Sequence, residues 1–135
     1  MDTITWKDSY SVGIAAMDEQ HKKLFVLINS LNQAMSEGKG RELVGQVLNE
    51  MVDYTSKHFT AEEKLMEKYD YPGLTEQKNE HKAFIQKVDQ MQQDAKSKNL
   101  TISIEVSQFL RRWITDHIMG MDKNYGSYLN AKGVK

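Results

Sequence analysis

The chain has no cysteine among its 135 residues, which excludes disulfide scaffolds, zinc–thiolate sites, iron–sulfur clusters and thiol catalysis. Proline occurs once, at Pro72, and glycine only eight times, so little interrupts long helices. Excess charge of one sign is missing too. Lys plus Arg number 18 and Asp plus Glu 19, a formal net charge of −1, and without a basic stripe nucleic acid is not an expected partner. No apolar run approaches the roughly 18 residues that cross a membrane. The opening MDTITWKDSY has neither the basic nor the apolar stretch of a secretory signal. The expected location is therefore the cytoplasm, with no membrane partner. There is no internal repeat and no low-complexity segment.

What the chain does have is apolar spacing at the helical period. One domain over 1–135 is expected. Residues 1–16 lack periodicity and read as an extended N-terminal arm. Helices are expected over about 17–37, 41–69, 74–96 and 101–121, followed by a C-terminal segment 122–135. The first face reads Met17, His21, Leu24, Phe25, Ile28, Leu31 and Met35, and stops at Gly38-Lys39-Gly40. The second reads Val44, Val47, Leu48, Met51, Tyr54, His58, Glu62, Leu65 and Tyr69, and ends at the turn Asp70-Tyr71-Pro72-Gly73. The third reads Gln77, His81, Phe84, Ile85, Val88, Met91 and Ala95, and the polar residues 96–99 connect it to the fourth. That helix starts with Thr101 as N-cap and reads Ile102, Val106, Phe109, Leu110, Trp113, His117 and Met121. Tyr125, Tyr128 and Leu129 then dock a short terminal helix. Four amphipathic helices on short loops predict an all-α, up-down-up-down antiparallel four-helix bundle.

The chain has four histidines, His21, His58, His81 and His117, one on the apolar face of each helix. A lone histidine there is commonly a hydrogen-bonded core residue. Glu62 beside Glu63 reads alone as part of an acidic surface run, Asp122 as a polar residue near a helix end, and Gln77 as a boundary residue. Together the histidines and two acids would be costly to bury without a partner, and a metal centre is the simplest one. His58 and Glu62, like Gln77 and His81, are four positions apart and so share a helix face. His117 and Asp122 are five apart, a rotation of about 140° on a regular helix. A shared site there needs a frayed end or a bulge, which Gly120 makes cheaper. Imidazole plus carboxylate suits iron, zinc or manganese. If both acids bridge, the set and one solvent-derived oxygen fill about ten of the roughly twelve positions of two octahedral metals.

The chain resembles the hemerythrins, specifically the bacterial single-domain form, over nearly its whole length. The matching residues are Trp6 and Gly13-Ile14 in the arm, Asp18-Glu19-Gln20-His21, His58-Phe59 with Glu62-Glu63, Tyr71-Pro72, Glu80-His81 with Phe84, and Trp113, His117-Ile118 and Asp122. The resemblance implies two iron ions with an oxo or hydroxo bridge and reversible O2 binding, as a carrier, store or sensor-type module and not as an enzyme. His21 and His58 map to the O2-binding iron, His81 and His117 to the other, and Glu62 and Asp122 to the bridging carboxylates. Leu24, Phe59, Trp113, Ile114 and Ile118 map to the O2 pocket. The family's third histidine on the second iron falls at position 77, where this chain has glutamine. Three outcomes stay open there: Gln77 ligates through Oε1, water takes the position, or the second iron is held loosely. The alternative activity is that of a di-iron peroxidase or oxidase enabled by this altered ligand. The expected state is a monomer, with delivery to an oxygen-consuming enzyme as one use.

Overall fold

The computed structural model describes residues 4–96 and 102–135. Helix α1 spans Ala15–Ser36, α2 Gly40–Lys68, α3 Leu74–Lys96 and α4 Ile102–His117. A π-helical turn, Ile118–Asp122, leads directly into α5, Lys123–Ala131. α1 packs on α2 and α4, and α3 packs on the same two helices. Short connections close this ring into the up-down bundle that the periodicity predicts. The connector residues 97–99, the Thr101 cap and the side chain of Ile102 lie outside the described residues.

The inward faces follow the spacing because burial of one stripe drives the packing. Leu24, Ile28, Leu31, Leu48, Met51, Phe84, Val88, Val106, Leu110 and Ile114 are all fully buried. Met35 and Leu65 fall at the edge of the stripe, while their neighbours Ala34 and Met66 take the interior places. One buried polar pair, the Ser107 hydroxyl donating to Asn32 Oδ1 at 2.6 Å, ties α4 to α1. The left-handed Gly38 (φ 75°) ends α1, and Lys39 N–H closes onto Ala34 O at 2.7 Å.

The arm is not simply extended. Asp8–Tyr10 forms a 3-10 turn that sets Tyr10 and Trp6 against Phe25 of α1, with ring centroids 5.1 and 5.4 Å apart. Asp18 fixes the next stretch by accepting from the Ser11 hydroxyl at 2.5 Å and from Val12 N–H at 2.8 Å. The short terminal helix forms as expected, with Tyr125 and Leu129 fully buried against the bundle, and it follows α4 directly through the π turn. Gly120 takes no left-handed conformation in that turn, and a Cβ there would meet open space, so the irregularity does not depend on glycine.

Candidate metal centre

All six ionisable residues singled out by spacing meet at the centre of the bundle, one or two from each helix. His21 comes from α1, His58 and Glu62 from α2, His81 from α3, His117 from the end of α4 and Asp122 from the π turn. All are at most 5% exposed. The π turn explains how Asp122 joins them: i→i+5 bonding brings residues five apart into line, where a regular helix would turn Asp122 away. His117 Nε2 lies 3.1 Å from Asp122 Oδ1.

The donors fall into two groups, His21 with His58 and Glu62, and His81 with His117 and Asp122. The carboxylates span them. Asp122 turns Oδ2 toward His21 Nε2, at 3.2 Å, and Oδ1 toward His117. Glu62 approaches His58 Nε2 at 3.1 Å, His21 Nε2 at 3.3 Å and His81 Nε2 at 3.5 Å. Gln77 is buried beside the second group and donates from Nε2 to Asp122 Oδ1 at 3.1 Å.

Outer partners orient these ligands. His58 Nδ1–H donates to Gln20 Oε1 at 2.6 Å, and His81 Nδ1–H to Glu63 Oε2 at 2.9 Å. Each bond turns the ring so that its Nε2 faces inward. The buried Tyr125 hydroxyl donates to Glu62 Oε2. Phe59 stacks on His81 at 3.9 Å and Trp113 on His117 at 4.3 Å, restricting both rings. Glu63, read from sequence as part of a surface run, instead reaches inward. Helical spacing assigns no partner role to Gln20 or Tyr125; for Gln20 the signals are its place beside His21 and within the matching stretch Asp18-Glu19-Gln20-His21.

The electrostatics fit a cation. His81 and His117 bring their Nε2 atoms within 3.3 Å of each other. Burial works against a charge on His117, but Asp122 outweighs it and raises its pKa. In the metal-free protein a proton on His117 Nε2 therefore fills the place where a cation would face both rings. Gln77 Oε1 and the Nδ1 atoms of His21 and His117 are buried without a hydrogen-bond partner, and such orphans are rare in a native core. Without a metal, protons take this part. Burial lowers the His21 pKa, but Asp122 and Glu62 outweigh it and raise it to about 10. Burial also works against the Glu62 charge, yet His58 and His21 hold its pKa well below the usual value. Asp122 is lowered as well, His117 and His21 prevailing over burial and the Glu62 charge. Burial leads at His81 and lowers its pKa, which favours the neutral, ligating ring. These residues can hold two cations between two shared carboxylates.

Around the centre, Leu24, Phe59, Ile114 and Ile118 are buried, the least so Phe59 at 4% exposed. Trp113 is only half-buried. With Phe109, Met91 and His117 it lines a groove of about 610 Å³ between α3 and α4.

A helical bundle with histidines and shared carboxylates at its centre defines a class of buried cation-binding proteins. The model of the hemerythrin HHE cation-binding domain matches residues 12–129, and the chain belongs to that family. It is 35% identical over 131 residues to a bacteriohemerythrin of Stenotrophomonas maltophilia, covering 97% of this chain and 84% of the relative. A hemerythrin-like protein of Naegleria gruberi is 35% identical over 124 residues, 92% of each chain. A crystal structure of wild-type hemerythrin superposes with a TM-score of 0.83 at 28% identity, covering 93% of this chain and 97% of that one. Among the described residues, no helix is long and apolar enough to cross a membrane.

Proposed function

We propose that the protein binds O2 reversibly at a non-haem di-iron centre bridged by Glu62 and Asp122. His21 and His58 hold one iron; His81 and His117, with Gln77 beside them, hold the other. The observation that carries this reading is Asp122, whose two oxygens serve different histidine groups, 3.2 Å from His21 and 3.1 Å from His117. A mononuclear tetrahedral site would use four ligands and leave buried donors idle. Ferrous iron, when bound, supplies the electrons and the open position that O2 needs.

The chain's own residues then do three things. Gln20, Glu63 and Tyr125 orient ligands through their outer atoms. Leu24, Phe59, Ile114 and Ile118 form apolar walls that keep water and its protons from the bound gas. Trp113 stacks on His117 and, with it, lines the α3–α4 groove beside the centre. The likeness to relatives called bacteriohemerythrin supports reading the site as an O2-binding module.

The test is spectroscopic. The iron-reconstituted, reduced protein is expected to develop a visible charge-transfer band under O2 and lose it under argon over repeated cycles. A band that does not bleach, with oxidised iron accumulating, would contradict reversible binding. That outcome would favour the second reading, a di-iron peroxidase or oxidase, for which the groove beside His117 offers a place for an organic substrate.

A further inference from the structure

We propose that Gln77 is an oxygen ligand of the second metal and sets that half-site's preference toward harder ions, its amide steered by its own hydrogen bond to Asp122. The inference rests on the two-metal reading above.

Gln77 is 1% exposed and sits on α3 one turn before His81, so both side chains leave the helix on the same face. An amide has a donor end and an acceptor end, and an ionised carboxylate only accepts. Asp122 Oδ1, 3.1 Å away, therefore selects the nitrogen. The bond fixes the amide plane and turns Oε1 away from Asp122. Oε1 is then buried with no hydrogen-bond partner, a costly state for a carbonyl oxygen.

The neighbouring atoms supply the explanation. Asp122 Oδ1 is also 3.1 Å from His117 Nε2, which is 3.3 Å from His81 Nε2. The amide nitrogen thus sits on the carboxylate oxygen that also faces these two imidazole nitrogens. A cation held by those three atoms gives Oε1 a positive partner. The hydrogen bond makes Gln77 more than a weak substitute: its nitrogen holds one ligand in place while its oxygen serves as another. The donor chemistry sets the preference, since carbonyl and carboxylate oxygens suit manganese, whereas imidazole suits zinc, iron and copper. An oxygen at this position therefore shifts the half-site toward manganese relative to a third imidazole.

The test compares the wild-type chain with Gln77→Leu and Gln77→His, titrated with Mn2+ and, separately, with Zn2+ against a chelator. Wild type is expected to bind two Mn2+ per chain. Gln77→Leu should weaken the second Mn2+ by about tenfold or more and the first by less, through the Asp122 carboxylate that both share. Gln77→His should raise the second-site preference for Zn2+ over Mn2+ by about tenfold. In crystals of the Mn2+-loaded wild type, Oε1 should be a direct ligand. The inference is overturned if Gln77→Leu binds two Mn2+ as tightly as wild type, if Gln77→His leaves the preference unchanged, or if water stands between Oε1 and the metal. Wild type that saturates below two ions would instead overturn the two-metal reading, and this inference with it. The wild-type stoichiometry therefore tests the first claim and the variants the second.

Discussion

Replacing Asp122 by alanine is expected to abolish iron retention: after anaerobic reconstitution and desalting, the variant should hold well under one iron per chain. The effect should be large because three contacts end on this carboxylate. Oδ2 lies against His21 Nε2 at 3.2 Å, Oδ1 against His117 Nε2 at 3.1 Å, and Gln77 Nε2 donates to Oδ1 at 3.1 Å. Loss of an outer partner alone typically costs 10–100-fold in metal affinity, and loss of a ligand shared by both groups should exceed about 100-fold. His58→Ala removes one imidazole from one group and should also lower iron content sharply. Lys96→Ala, an exposed change at the end of α3, should leave it unchanged. Iron analysis with circular dichroism distinguishes lost ligation from lost fold. Wild-type iron content in a folded Asp122→Ala protein would contradict its bridging role.

The second large effect lies outside the centre. Gly126→Ala is expected to destabilise the fold by about 3 kcal/mol, the upper part of the range for overpacked cores. A Cβ at Gly126 would come within 2.0 Å of Val12 O and 3.0 Å of Val12 C. Both are backbone atoms, so no rotamer change relieves the clash and the arm must lift from α5. Lifting it exposes Val12 and Ile14, each 3% exposed, and strains the bond that Asn130 Nδ2 donates to Gly13 O at 2.9 Å. Gly120→Ala is the control, since nothing lies within 4 Å of its Cβ position. A lower urea midpoint for Gly126→Ala alone is the expected result. Equal midpoints for both variants would show that the arm does not hold α5.

These two cases also show what could be read from sequence. Helical period located the faces because core burial imposes the spacing on each helix separately. His21, His58, His81 and His117 were recognisable as one cluster only because each occupied an apolar slot. Asp122 was the hard case. Its spacing from His117 demanded an irregular turn, and the π turn supplies one, but Gly120 contributes nothing by its conformation. Gln20 and Glu63 were hidden for a different reason. Each sits beside a residue of the central cluster, about 100° round the helix, and reaches a histidine on another helix. Such pairings depend on how helices are set against each other, which periodicity within one helix does not encode. The same holds for Tyr125, expected as a docking residue and found donating to Glu62, and for the close approach of Val12 to Gly126.

The most direct test of the central claim is the anomalous diffraction of iron in crystals of the reconstituted protein. Two peaks per chain are expected about 3.5–4 Å apart, the usual separation of two-metal sites, with Glu62 and Asp122 each touching both. One peak per chain, or peaks away from His21, His58, His81 and His117, would contradict it.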